Sequence, residues 1–233
     1  MVMYDYTLDP SGDAVLILEN PNAPFAIWHG VSGDKLRPSR ASPVPTEDQP
    51  AAIHEPVAFL VSSRHLILAS PVLKAALDGG WKESAPRETD NLREVRTEGW
   101  DVQAMVIFMS IIHHKWSQVP RDVDLELLAK IAVVADYYQT YEMAQFIGTL
   151  WVGRLRKPLP AVYGRELVLW ICVSLTFRHH GAFRHATKIA VRDCRGDLET
   201  LELPILSAVV GMKRPVCIDK FRWQYHANDS QTR

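Results

Sequence analysis

Short apolar runs alternate along this chain with long stretches that carry almost none. Residues 13–19, DAVLILE, place Val, Leu and Ile directly after the turn signal Pro10-Ser11-Gly12, and this predicts a buried strand. Pro21 and Pro24 punctuate a second extended piece, Phe25–Trp28. Residues 30–56 change character: Pro38, Pro43, Pro45, Pro50 and Pro56 fall among Ser, Asp, Glu and Gly. Such a stretch buries too little surface to offset its ordering entropy, so a mobile surface insertion within a domain is expected.

The next apolar residues, Val57, Phe59 and Val61, alternate and predict a strand. Ser62 or Ser63 then stands where a hydroxyl can accept a hydrogen bond from a first-turn N–H and cap a helix. Leu66, Ile67 and Leu68 fill that short helix. Ser70-Pro71 restarts the chain, with Ser70 as N-cap and Pro71 at the first helical position, where its missing N–H costs nothing. Val72, Leu73, Ala76 and Leu77 give the next apolar face, and Gly79-Gly80 ends it. Leu92–Val95 alternates weakly and reads as a third short strand.

Helical periodicity dominates the remainder. Val102, Met105, Val106, Phe108, Met109 and Ile112 form one stripe, and Leu125, Leu128, Ala132 and Ala135 a second, widened by Leu127, Ile131 and Val134. Met143, Phe146, Ile147, Leu150 and Trp151 form a third, with Thr140 as its expected cap and Glu142 in its first turn. Arg154, Arg156 and Lys157 close its last turn, where cations favour the helix dipole, and Pro158 and Pro160 stop it. Two further helices are expected near 164–178 and 181–194, and a short one at 203–210. Trp100, Trp151 and Trp170 fall within helical patterns and read as core.

The chain's 233 residues suit one large domain or one domain with an extension, and 47% apolar residues are enough for a core. A formal net charge of −1 supplies no field to attract nucleic acid or an acidic membrane, and the aromatic residues are not interleaved with basic ones. Cys172, Cys194 and Cys217 are odd in number and far apart, which argues against a disulfide framework and for a reducing compartment. The N-terminus has neither a basic nor an apolar signal region, and the longest apolar run, Leu167–Phe177, is about half of what spans a bilayer. An intracellular protein, cytoplasmic or nuclear, with no membrane or nucleic-acid partner is expected.

Histidines are the main candidates for chemistry: His113-His114, His179-His180 and His185, with Cys194 beyond. An enzyme built on a histidine metal site is the opposing reading. Zinc, however, needs three or four converging ligands, and adjacent residues on a helix point to different sides. Gly181 is expected to break the helix between His180 and His185. No nucleophile, phosphate-loop or dinucleotide motif occurs, and the acid pairs Asp122/Asp124 and Glu199/Glu202 read as helix-start or loop charges. No catalytic, cofactor or metal residue is therefore assigned, and no enzyme is expected. The best surface candidate follows the stripe that ends at Ile112. There His113, His114, Lys115 and Trp116 set polar and aromatic groups side by side, the mix favoured at interface hot spots.

One resemblance runs through these pieces. Asp13 at the first strand, Phe59-Leu-Val-Ser-Ser-Arg-His-Leu66, Ala69-Ser-Pro-Val-Leu73 and Gly79-Gly-Trp-Lys-Glu-Ser84 resemble, in order and spacing, the BTB/POZ domain of the fungal type. The likeness continues through Ile111-Ile-His-His114, Val119-Pro120, Leu127–Tyr138 and the helix through Trp151. It implies an α+β fold: a cluster of helices on a small three-stranded sheet, residues 1–157, beyond which the helical pattern reads as an extension, 158–226, and the polar end as a disordered tail, 227–233. It also implies a non-catalytic protein–protein interaction module with a protein partner of unknown identity; the narrower alternative is a substrate adaptor of a cullin-type ubiquitin ligase, whose partner is a cullin scaffold. Where many animal members place a His-Arg pair, this chain has Ser62-Ser63. Asp13 thus lacks a basic partner at position 63, and those relatives' charged pocket is not carried over. Only twelve residues precede Asp13, so a homodimer made by exchanging an N-terminal helix and strand is not implied.

Overall fold

The computed structural model describes residues 4–29, 55–78, 91–155, 159–194 and 198–211. Most of the expected insertion (30–54), the Gly79-Gly80 stop, Arg156, Lys157, Cys217 and the expected tail lie outside them. The fold class is α+β, and the packing divides the chain into two compact units. The first comprises Met1–Arg121 with Val134–Thr140, and the second Asp122–Val133 with Tyr141–Arg233.

The first unit is built on a mixed sheet of β1 (Tyr6–Thr7), β2 (Ala14–Glu19), β3 (Val57–Val61) and β4 (Arg93–Glu98), in the order β1-β3-β2-β4. β2 runs antiparallel to β3 and parallel to β4, and β1 lies parallel to β3. Three strands were legible. The fourth, β1, is a correction to the expected three, while Phe25–Trp28 joins no strand. Leu16 stands opposite both Phe59 and Val95, so one buried row crosses the sheet. That row sets the register, because a slip of one residue would turn each of these side chains to the opposite face.

β3 passes through Ser62 into α1 (Ser63–Ala69), which leads through Ser70 into α2 (Pro71–Asp78). α1 packs on α2 and on α3 (Val102–Ile112), and α2 packs on β4. Ser70 caps α2 as expected: its Oγ accepts the Leu73 N–H at 3.1 Å while its own proton goes to the Tyr138 carbonyl, 2.6 Å away. One hydroxyl thereby starts a helix and ties it to a residue 68 positions away. The Ser62 side chain, by contrast, makes no capping bond. Asp13 does that work from the start of β2, and the Ser63 N–H and Oγ donate to its two carboxylate oxygens at 2.7 and 2.6 Å. Burial acts to raise the Asp13 carboxyl, but the two Ser63 hydrogen bonds and the charge of Arg93 outweigh it and hold the group below its usual range. Asp101 caps α3 through the Ala104 N–H at 2.9 Å. Trp100 belongs to the turn before α3 rather than to a helix, and its indole N–H donates to Thr97 Oγ1.

α4 (Leu125–Tyr137) is shared between the units, with Asp124 accepting the Leu127 N–H at its start as a helix-start acid should. The second unit continues with α5 (Tyr141–Arg154), α6 (Arg165–Thr176), α7 (His180–Asp193) and α8 (Ser207–Val210). α5 thus groups with the helices that follow it, whereas the sequence placed it with the strands. Every residue of α6 from Leu167 to Thr176 is buried, the signature of a central helix. Its Ser174 hydroxyl donates to the Trp170 carbonyl at 2.6 Å, which settles a buried polar group inside the helix itself. Gly148 of α5 lies flat against Phe177, and a Cβ there would overlap the ring. Thr140 does not cap α5 through its hydroxyl, which donates backwards to the Ala135 carbonyl. No described helix is long and apolar enough to cross a membrane.

Candidate functional site

The sequence pointed to the corner after α3, and the structure divides its residues sharply. α3 ends at Ile112 and His113 follows as its C-cap. The His113 ring folds inward and is 8% exposed. Its Nε2 lies 3.0 Å from the Ser62 backbone nitrogen and its Nδ1 2.8 Å from the Met109 carbonyl. A backbone N–H only donates and a carbonyl only accepts, so Nε2 is bare and Nδ1 carries the proton. The ring is neutral in this arrangement. Burial is the leading cause that holds its affinity for protons below the ordinary imidazole level, against the opposing pull of the Met109 bond. His113 was expected on the binding surface. It is instead a buried brace between the end of α3 and the start of α1, because the Ser62 amide, orphaned at a helix start, needs an acceptor.

His114 leaves the helix with φ at +56° and is exposed. The left-handed turn separates the two adjacent rings. Lys115 bonds back to the Ser110 carbonyl at 2.8 Å, and a single 3₁₀ turn, Trp116–Gln118, completes the corner. Trp116 is 52% exposed. His65 of α1, which the sequence analysis passed over, joins the two histidines. Its ring stacks on His113 at 5.1 Å and meets His114 edge-on at 6.0 Å, while His114 meets Trp116 at 5.9 Å. The four rings form a continuous row, from the buried His113 to the exposed Trp116. Leu68, 85% exposed, stands one helical turn beyond His65 on α1. No signal short of the fold could have placed His65 here, since it comes from an element 48 residues before His113.

The other candidates, His179, His180 and His185, are not gathered into one site. α7 runs without a break from His180 through Gly181 to His185, contrary to expectation, because a glycine in the first turn needs no left-handed φ. Five residues apart on one helix, His180 and His185 point to different sides. His179 caps α7, with Nδ1 accepting the Ala182 N–H at 3.1 Å, and the His185 ring lies against the Pro160 carbonyl. No group of three or more His, Cys, Asp or Glu among the described residues could hold a metal ion. The Tyr163 hydroxyl accepts the Glu199 N–H at 3.0 Å, and burial pushes its pKa up to about 12. A phenol so placed keeps its proton at neutral pH and braces the 198–200 segment.

The corner therefore offers a rigid base with exposed aromatic and amphipathic groups above it. No family model matches the chain, and no curated protein matches it in sequence.

Proposed function

We propose that this chain is a non-catalytic protein–protein interaction module of the BTB/POZ type. The observation that carries the reading is the corner itself. His113 is bonded on both ring nitrogens and fixes the base, while His114 and Trp116 stand exposed on it. Preorganised aromatic groups of this kind lose little entropy when a partner covers them. The close β3–α1–α2 path, with Asp13 meeting Ser63 where many relatives pair an acid with a base, supports the family likeness. The narrower reading, an adaptor that binds a cullin scaffold, rests on the resemblance alone. A folded chain that captures no cullin in a pull-down removes it.

The test of the general reading is affinity purification with the full chain and its Trp116→Ala variant side by side. A stoichiometric protein partner that W116A loses at least tenfold, with unfolding midpoints unchanged, supports it. Partners that bind both chains equally move the interface elsewhere and sink the assignment of this corner.

A further inference from the structure

The His65–His113 stack has a property that its bracing role does not require. The Nδ1 atom of His65 is buried and has no hydrogen-bond partner, and the ring it faces is a neutral histidine. Two imidazoles 5.1 Å apart with one unpartnered buried nitrogen form a site that meets acid badly. A proton on His113 has one place to go, Nε2, since Nδ1 is already protonated. Nε2 is the atom that accepts the Ser62 N–H, so protonation sets two donors against each other across 3.0 Å.

We propose that His65 and His113 form an acid-sensitive latch, in which protonation of His113 breaks its bond to the Ser62 amide and frees the 113–118 corner from the start of α1. The charged surroundings are mixed. From α1 the facing group is His65, whose positive form opposes a second charge. From the turn ahead of β2 it is Asp9, which favours the charged ring, and from the corner itself it is Lys115, which opposes it. Burial of the ring is the largest influence and also resists the charge. The sign follows. The folded chain binds this proton less readily than the unfolded chain does, so the latch is fully closed above the ordinary imidazole value of 6.5 and opens as pH falls below it. His114 and Trp116 ride on the same corner, so their presentation changes with it. The latch is a property of the fold and stands whether or not that surface is the interface.

Hydrogen exchange of the Ser62 amide in the full chain between pH 7.5 and pH 5 reads the latch directly. After correction for intrinsic exchange, protection in the wild type should fall by up to about tenfold per pH unit below 6.5, the limit for one linked proton, and level off once pH drops beneath the lower folded value. His113→Gln keeps an acceptor near the Nε2 position and cannot titrate, so its Ser62 protection should not change over the same range. Equal loss in both chains, or no loss in the wild type, overturns the proposal. Imidazole NMR of the wild type decides the matter if H113Q does not fold. The Nδ1–H tautomer at pH 7.5 and a His113 transition in step with the Ser62 amide support the latch. A ring that titrates while Ser62 stays protected overturns it.

Discussion

The same dipeptide, His-His, occurs at two helix ends, and the two corners use it differently. At the end of α3, His113 is buried, bonded through both nitrogens and stacked on α1, while His114 turns outward. At the start of α7, His179 offers one nitrogen to the Ala182 amide and His180 is exposed. In each pair the first ring serves a backbone amide left unpaired at a helix start and the second faces solvent. What differs is distance along the chain. His179 serves its own helix three residues on, whereas His113 serves a helix start 51 residues earlier. A local cap adds to one helix. A distant one joins two elements, and its loss is felt in both.

That contrast can be tested by deletion, with equilibrium urea unfolding as the measure. His113→Ala removes a buried ring and leaves the Ser62 amide without its acceptor, and should cost roughly 2–4 kcal/mol. Asp13→Ala removes the other distant group at the start of α1 and should cost about 1–2 kcal/mol. Because the Asp13 carboxyl is held below its unfolded value, its contribution is present above about pH 4 and fades as pH falls through the folded value. The variant should therefore show a shallower acid limb. His179→Ala, a local cap, should cost about 0.5–1 kcal/mol, and a value equal to that of H113A would erase the distinction between near and distant caps. Trp116→Ala should change stability by less than about 0.5 kcal/mol, since its ring is already half exposed.

How much of this was legible follows the same divide. The apolar run of β2 behind its turn signal, the Ser70-Pro71 restart and Asp124 ahead of α4 are signals written within a few residues, and each was readable. Ser62 or Ser63 read as the cap because only neighbouring residues could be weighed, yet the Ser63 amide is served from a distance. The fold gave the work to Asp13, 50 residues away. His113 was placed on the surface for the same reason, and His65 was missed because its neighbours on the chain give no hint of its neighbours in space. The stripe on α5 also went further than the sequence could tell. Ile147 and Trp151 are buried, but Phe146 is 71% exposed and Leu150 is also exposed, so the packing covers only part of the apolar face. β1 escaped notice because two exposed residues have no period.

That small strand has a consequence for how any partner can approach. β3 would otherwise present an outer edge, but Asp5, Tyr6, Thr7 and Leu8 lie along it. The Asp5 and Leu8 amides bond to the Ala58 and Leu60 carbonyls, and the Asp5 carboxylate accepts the Ala58 N–H. At the opposite side of the sheet, β4 reads Arg-Glu-Val-Arg-Thr-Glu, with Arg96 paired to Glu19 and Glu94. One margin is taken up by the chain's own backbone and the other is studded with charge, two of the devices by which proteins discourage a foreign strand from adding to a sheet. Recognition by strand addition has little to hold here. Under the reading proposed above, a partner would read helix-borne side chains such as Trp116 rather than either of these described sheet margins.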